Sequence, residues 1–348
     1  MPKFDFEATG IGSLPFKDPK SACRLIFDNF RSIPFWPQLN NRSFKEHMYC
    51  QFSEGLPGVV IDEKKRSIYI DSAAAASGME KAYQKYLDQD VDYFKISGGF
   101  AEGLHEFIGS FKKEAPAAKY VKGHITGPVS FALSVTDENK KALIYDKDMF
   151  DVTTKVLTMK ARWQIRELKK LSGNVIIFID EPYLVSIGSS HVNIPVDDAM
   201  RSLDDIFSAI REEGAISGIH CCGNTDWPLL LKRGVDILNF DAYNFTNEFF
   251  LYHRDIKDFI ERGSSIAWGI VPSSEAADSQ TPEGIAKRLK AALKVLEDKG
   301  IDGSKVSSLV TSSCGLGTLE EKRAKRIVEM VNRVSDICAS NQVKNPYF

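Results

Sequence analysis

Two apolar runs, Asn174-Val-Ile-Ile-Phe-Ile-Asp180 and Ile216-Ser-Gly-Ile-His220, decide the fold class. Each run is short and ends in a polar or charged side chain, and an amphipathic helical stretch lies between them. The same alternation continues along the chain, which predicts an α/β protein with a parallel sheet. Eight strands are predicted, so we expect a single closed (β/α)8 barrel, the TIM barrel. The predicted strands are Glu7 to Ser13, Ser32 to Pro37, Tyr120 to Thr126, Asn174 to Asp180, Ile216 to His220, Asp236 to Asp241, Ser265 to Ile270 and Ser307 to Thr311.

The helices between the strands carry clear start and stop signals. Thr281-Pro282-Glu283 places a capping residue before a proline at the first helical position. Apolar residues then recur at helical spacing until Lys299-Gly300 ends the run. Thr318 opens another predicted helix in the same way, and both helices are expected to pack outside the barrel.

The run from Gly58 to Asp71 has a different pattern. Two β-rich stretches flank the charged turn Asp62-Glu-Lys-Lys-Arg66, as in a hairpin. Because no repeat, low-complexity tract or proline-rich linker divides the chain, we predict one domain over residues 1–348. Residues 40–118 are predicted to form an insertion, containing the hairpin, between strands 2 and 3.

Composition excludes several classes of protein. The 45 basic and 47 acidic residues nearly balance, which gives no sign of binding to nucleic acid or membranes. The chain has no apolar stretch of about 18 residues and no secretory signal pattern, so we expect a cytoplasmic protein. Its six cysteines are too sparse for a disulfide scaffold. Cys23, Cys50 and Cys338 lie in helix-like stretches and are expected to be packing residues.

Potential metal ligands follow three predicted strands. His220 and Cys222 lie two residues apart at a strand end and so project to the same side, whereas Cys221 points away. Asp241 ends the next strand and Cys314 follows the last one, so all four side chains can converge at the carboxyl face of a barrel. One imidazole, two thiolates and a carboxylate suit Zn²⁺. A structural zinc site or an incidental cluster is the alternative, but the chain lacks Cys-X-X-Cys knuckles.

The ligand set indicates the chemistry. Two thiolates and a carboxylate more than neutralise Zn²⁺, which makes the site a poor generator of hydroxide. A thiol substrate can instead enter the coordination shell and lose its proton there. A free thiol with a pKa near 8.5 is mostly protonated at neutral pH. The set therefore predicts alkyl transfer to sulfur.

Five motifs occur in the order found in one family. The chain resembles the catalytic domain of cobalamin-independent methionine synthase, over nearly its whole length. This family belongs to a superfamily of β/α barrels that includes uroporphyrinogen decarboxylase and the zinc methyltransferases acting on coenzyme M. The matching motifs are Ile11-Gly-Ser-Leu-Pro15, Ile179-Asp-Glu-Pro182, His220-Cys-Cys222, Asp236 to Asp241 and Cys314-Gly-Leu-Gly317.

The resemblance implies a set of functional residues. The zinc ligands would be His220, Cys222, Asp241 and Cys314. Ser13 would lie near the carboxylate of the substrate homocysteine, Asp180 near its ammonium, and Glu54 would be a second ammonium partner. A buried ammonium does need a charged partner. The alternative is that Ser13 caps a turn and Asp180 caps a helix.

Three departures from the family concern the methyl donor. The third ligand is Asp241 where the family usually has Glu, and we expect no second, amino-terminal barrel for polyglutamyl folate. Glu275 stands where the family carries a His that protonates the folate leaving group. A methylated corrinoid needs no such proton, so the expected donor is a corrinoid. The chain lacks an Asp-X-His-X-X-Gly motif, which implies that the corrinoid arrives free or on a partner protein.

The sequence therefore predicts a zinc-dependent homocysteine S-methyltransferase of methionine biosynthesis. Three alternatives stay open at this point. The acceptor could be another thiol such as coenzyme M, although Asp180 favours an amino acid over a sulfonate. Uroporphyrinogen decarboxylation would need a basic pocket and would leave the thiolates without a role. A docking subunit for a corrinoid protein would need no metal.

Overall fold

The computed structural model describes residues 2–115, 117–190 and 192–344 of the chain. Helices and strands alternate along most of it. The strands are β1 (Asp5–Ala8), β2 (Val59–Asp62), β3 (Ser67–Ile70), β4 (Val121–Thr126), β5 (Thr136–Asp137), β6 (Val175–Asp180), β7 (Ile216–Cys221), β8 (Ile237–Phe240), β9 (Ser265–Val271) and β10 (Ser308–Ser312). The helices are α1 (Pro19–Asn29), α2 (Ser72–Leu87), α3 (Glu102–Glu114), α4 (Pro128–Ser134), α5 (Lys147–Lys169), α6 (Val196–Glu212), α7 (Pro228–Leu231), α8 (Ala242–Phe249), α9 (His253–Glu261), α10 (Pro282–Asp298) and α11 (Glu321–Lys344). None of these helices is long and apolar enough to cross a membrane.

Seven of the strands form one curled parallel sheet, in the order β1-β10-β9-β8-β7-β6-β4. The segment 32–38 lies between its two edges. Phe35 forms a parallel bridge with Lys122 of β4, and Gln38 forms one with Ser13, beyond the end of β1. This segment therefore joins the edges of the sheet, as the second strand of a barrel would.

Two predicted strands are shorter or less regular than expected. The strand predicted from Glu7 to Ser13 ends at Ala8 in the structure. The strand predicted from Ser32 to Pro37 forms isolated bridges only. Pro34 and Pro37 have no backbone N–H to donate, which prevents a continuous hydrogen-bond ladder there.

The core has one apolar layer inside the sheet and another between the sheet and the helices. On β6, Ile176 and Phe178 belong to the inner layer, while Ile177 and Ile179 belong to the outer one. This division follows from the alternation of side chains along a strand. The inner layer consists of Phe4, Ile33, Ile176, Phe178, Ile237, Ala267 and Leu309.

Polar side chains follow the inner layer towards the carboxyl ends of the strands. Asn239 comes two residues after Ile237 on β8, and Thr311 two residues after Leu309 on β10; both are fully buried. Because residues two apart share a face, the next inward positions are Asp180, His220 and Asp241. The apolar layer thus forms the base of a polar carboxyl face.

The helix and hairpin signals have clear counterparts in the structure. Thr281 Oγ1 accepts a hydrogen bond from Gly284 N at 3.1 Å, and α10 ends before Gly300, whose φ is +80°. β2 and β3 form an antiparallel pair, and β3 also pairs in parallel with β5. Cys23, Cys50 and Cys338 are buried, as expected of packing residues.

Candidate metal centre

Three of the four predicted ligands meet at the carboxyl face of the sheet. One ring nitrogen of His220 and the Sγ atoms of Cys222 and Cys314 lie within 4.8 Å of one another. His220 belongs to β7, Cys222 follows it, and Cys314 follows β10. Cys221 is fully buried in the outer apolar layer, so the strand alternation separates it from its neighbour.

A buried amide fixes the orientation of the His220 ring. Asn239 Nδ2 donates to Ala267 O at 2.8 Å and to Thr311 Oγ1 at 2.9 Å. Its Oδ1 therefore faces His220 Nδ1 as an acceptor, and Nδ1 carries the proton. His220 is 2% exposed, and its Nε2 has no hydrogen-bond partner among the described residues. With Nδ1 held by Asn239, Nε2 is the ring nitrogen left to bind a metal.

The two sulfurs share a proton unequally. A hydrogen bond from the Cys314 thiol, aided by the His220 ring, lowers the pKa of Cys222 to about 4 despite its burial. The Cys222 thiolate in turn raises the pKa of Cys314, and burial adds to the rise. Burial alone would lower the pKa of His220, but the thiolate and the Asp180 carboxylate outweigh it and raise that pKa. The cluster thus attracts cations before any metal binds.

Asp241, the fourth predicted ligand, lies outside this group. It is the N-cap of α8: Oδ1 accepts from Asn244 N at 2.9 Å and Oδ2 from Asn244 Nδ2 at 2.6 Å. Burial raises its pKa, and the charge of the Cys222 thiolate adds to the effect. Asp241 is therefore near the cluster, but ligation would require it to give up bonds to Asn244.

Two groups of opposite charge, the half-buried Asp180 and the fully buried Lys122, lie beside the cluster. Asp180 pairs in register with His220, and its buried Oδ1 has no partner among the described residues. Burial raises the pKa of Asp180 to about 6, against the opposing charges of His220 and Lys122. Lys122 Nζ donates to Ile11 O at 2.7 Å and lies 4.3 Å from the centre of the Phe178 ring. Burial lowers the pKa of Lys122 to about 7.

The other acid of the Asp-Glu-Pro motif, Glu181, has a structural position. Its carboxylate accepts from Val129 N at 3.0 Å, Ser130 N at 2.8 Å and Ser130 Oγ at 2.6 Å. These groups lie in the first turn of α4, whose free amides favour a negative charge. Glu181 thus anchors α4 to the end of β6.

Ser13 connects the first and last motifs. Its carbonyl accepts from Leu316 N at 3.0 Å, and its Oγ accepts from Gly317 N at 3.2 Å. A Cβ atom at Gly315 would lie 2.2 Å from Ser13 Oγ, so this contact requires glycine. Ser13 therefore positions the loop that carries Cys314, and its hydroxyl proton can still be donated to a ligand.

Glu54 forms a hydrogen bond with the segment that precedes α3. Its Oε2 accepts from Ser97 N at 2.8 Å. Its charge also faces Lys160, whose Nζ donates to Phe94 O at 3.3 Å and to Lys95 O at 3.4 Å. Glu54 is not brought into the group of His220, Cys222 and Cys314.

Asn239 and Lys122 are site residues that sequence reasoning did not identify as functional. Each is a polar residue inside an apolar strand, and that is the signal that could have found them. Their roles depend on cross-strand neighbours, since Asn239 contacts Thr311, 72 residues away, and Lys122 contacts Ile11, 111 residues away.

Comparisons with known proteins give weak likenesses only. No protein-family model and no curated protein matches the chain. Among solved structures, the B12-independent methionine synthase from Shewanella sp. W3-18-1, in complex with selenomethionine, is 18% identical over 69% of this chain and 68% of that chain, with a TM-score of 0.49. ZgEngAGH5_4 in complex with a cellotriose is 10% identical over 72% of this chain and 87% of that chain, with a TM-score of 0.41. Neither likeness assigns a function, so the proposal below depends on the site residues.

Proposed function

We propose that this protein is a zinc-dependent methyltransferase that transfers a methyl group to the thiol of homocysteine and forms methionine. One observation carries the proposal: His220, Cys222 and Cys314 converge at the carboxyl face, with Asn239 holding His220 in the tautomer that leaves Nε2 free. Catalytic residues of β/α barrels lie at this face.

The three side chains are ligands that suit zinc, and they leave one coordination position for a substrate. Imidazole and thiolates are ligands that Zn²⁺ prefers, and catalytic zinc sites combine three protein ligands with one exchangeable position. Asp241 is the proposed fourth protein ligand, available when the substrate is absent. When bound, zinc would lower the pKa of an incoming thiol so that its sulfur reacts as a thiolate near neutral pH.

The surrounding residues would bind the amino-acid end of homocysteine. The unpartnered Oδ1 of Asp180 can accept from the substrate ammonium, and the Ser13 hydroxyl can donate to the substrate carboxylate. A substrate ammonium next to Asp180 would stabilise the charged carboxylate, which burial deprives of water. Glu54 is proposed as a second ammonium partner, which would require it to leave Ser97 N.

We propose a methylated corrinoid, free or on a partner protein, as the methyl donor. Transfer from methyl-folate needs an acid that protonates the leaving nitrogen, whereas the cobalt leaving group needs none. Glu275, at the position expected for that acid, has a side chain that is 89% exposed and lies 4.0 Å from Arg323 Nη2. This exposure supports a donor that does not use the acid.

The metal and the acceptor can be tested together. Zinc content would be measured by elemental analysis, and the sulfur neighbours of zinc by X-ray absorption with and without homocysteine. We expect about one zinc per chain and one additional sulfur neighbour on adding homocysteine. A chain that binds no zinc, or zinc with an unchanged shell, contradicts the proposal.

Adjacent cysteines provide a matched control for the ligand assignment. Cys222→Ser and Cys314→Ser are expected to lose zinc, while Cys221→Ala retains it because Cys221 faces the outer core. Equal zinc loss in all three variants would contradict the assignment.

Turnover assays would identify the substrates. Methionine should form from homocysteine with methylcobalamin, and methylation of coenzyme M alone would overturn the acceptor. Activity with methyl-folate alone would overturn the donor.

A further inference from the structure

His124 is a buried histidine on β4 with unusual surroundings. It is 1% exposed, and neither ring nitrogen has a hydrogen-bond partner among the described residues. One face of the ring stacks on Trp36, with the ring centres 3.9 Å apart, and the Phe52 ring meets it edge-on at 6.1 Å. Because buried polar groups are nearly always satisfied, these two nitrogens are candidates for hydrogen bonds to a bound polar ligand.

The backbone that carries Ser13 packs directly against this ring. A Cβ atom at Gly12 would lie 2.7 Å from His124 Nδ1, so only glycine allows the approach. Lys122 lies two residues before His124 and donates to Ile11 O. Residues 11–13 therefore run past both Lys122 and His124 before reaching the mouth of the barrel.

The charges around His124 favour an anionic ligand. Burial, and then the nearby charge of Lys122, holds the pKa of His124 well below its usual range, so the ring is neutral. A neutral imidazole has one N–H donor, and Lys122 supplies positive potential beside it. Asp180, on the neighbouring strand β6, pairs in register with Thr126 rather than with His124.

From this arrangement we infer that His124 is a substrate-binding residue whose imidazole N–H donates to the carboxylate of the thiol substrate. The inference rests on the proposed function and deepens it. The substrate would lie with its carboxylate between His124 and Ser13, its ammonium at Asp180 and its sulfur at the cluster. The pocket would thus select a thiol that carries an α-amino acid group.

Binding of three thiols tests the inference. Calorimetry on zinc-loaded protein would compare homocysteine, 4-mercaptobutanoate, which lacks the ammonium, and 3-mercaptopropylamine, which lacks the carboxylate. His124→Leu should weaken the first two by about tenfold or more, because the carboxylate loses a buried donor, and leave the third within about twofold. His253→Leu makes the same change at the start of α9 and should alter none of the three.

Two further variants keep the test informative if His124→Leu folds poorly. His124→Gln retains an N–H donor and should restore part of the affinity for the two carboxylates. Gly12→Ala pushes against the ring and should weaken the same two thiols, whereas Gly109→Ala, on an open helix surface, should have no effect.

The outcomes separate this inference from the proposed function. If the wild-type protein binds zinc and homocysteine but His124→Leu weakens no thiol, or weakens all three equally, the inference is wrong and the function stands. If the wild-type protein binds none of the thiols, both are wrong.

Discussion

At the scale of single residues, the site depends on side chains that hold other side chains. The Asn239 amide donates to Ala267 O and to Thr311 Oγ1, and these two hydrogen bonds direct its oxygen towards His220 Nδ1. Such partners of a ligand raise metal affinity by fixing its tautomer and orientation.

Asn239→Leu keeps the volume of the side chain but removes the acceptor for His220 Nδ1. We expect zinc affinity to fall by about 10- to 100-fold, since the imidazole is then free to rotate and change tautomer. Competition with a chelator would measure the affinity. Asn139→Leu, the same change in an exposed turn, is the control, and equal zinc affinities in the two variants would contradict this role.

Protons should leave the cluster when zinc binds. The metal needs Cys314 as a thiolate and His220 as neutral imidazole, and both groups have raised pKa values without it. Zinc affinity should therefore rise as pH rises from 6 towards 9, with protons released from Cys314 and, below its raised pKa, from His220. Calorimetry in buffers of different ionisation enthalpy would count them, and a pH-independent affinity would show that the groups are already deprotonated.

At the scale of elements, the Glu181 carboxylate connects β6 to the first turn of α4. Burial raises the pKa of Glu181 to about 7, above its ordinary value of 4.5. A group with a raised pKa in the folded protein stabilises it below the unfolded pKa, and this contribution is lost as pH rises through the folded pKa.

Glu181→Gln should change how stability depends on pH. We expect the free energy of unfolding of the wild type, relative to the variant, to decrease between pH 4.5 and 7, because only the wild type binds an extra proton when folded. Urea unfolding at a series of pH values would measure it. For Glu261→Gln, at an exposed position on α9, the free energy of unfolding should depend on pH as it does in the wild type. The same pH dependence in Glu181→Gln would refute the raised pKa of Glu181.

At the scale of the whole molecule, the apolar layer inside the sheet supports the polar face above it. Phe178 belongs to this apolar layer, and its ring also contacts Lys122 of the polar face.

Phe178→Ala should lower the free energy of unfolding by about 3–5 kcal/mol, because it leaves a cavity inside the barrel. Denaturant unfolding would measure this loss. Leu87→Ala, at a side chain that is 70% exposed, should change stability little. A loss below about 1 kcal/mol at Phe178 would mean that the interior is not close-packed.

Much of the architecture could be predicted because buried parallel strands have a distinctive pattern. In runs such as Asn174 to Asp180 the five central residues are all apolar and a polar residue follows them, so the strand ends identify the carboxyl face. The irregularity of the segment 32–38 does not follow from its hydrophobic pattern; the signal for it is the two prolines, which lack a backbone N–H.

The candidate site could be predicted in part for a similar reason. The convergence of His220, Cys222 and Cys314 could be predicted from residue type and strand position alone. Asp241 is predicted to join them, but its carboxylate caps α8 and accepts hydrogen bonds from Asn244, which compete with metal ligation. Asn239, Lys122 and His124 contact residues far away in the chain, and the spacing of residues does not reveal such contacts.

The segment 32–38 has a kinetic consequence for the barrel. It is joined to its neighbours by isolated bridges, whereas β4 and β6 pair over six consecutive residues. Local opening should therefore begin along this seam, and amide hydrogens of Trp36 and Gln38 should exchange with deuterium before those of β6. The seam contains Trp36 and borders Gly12 and Ser13, so the part of the sheet that opens first also adjoins the proposed thiol-binding residues.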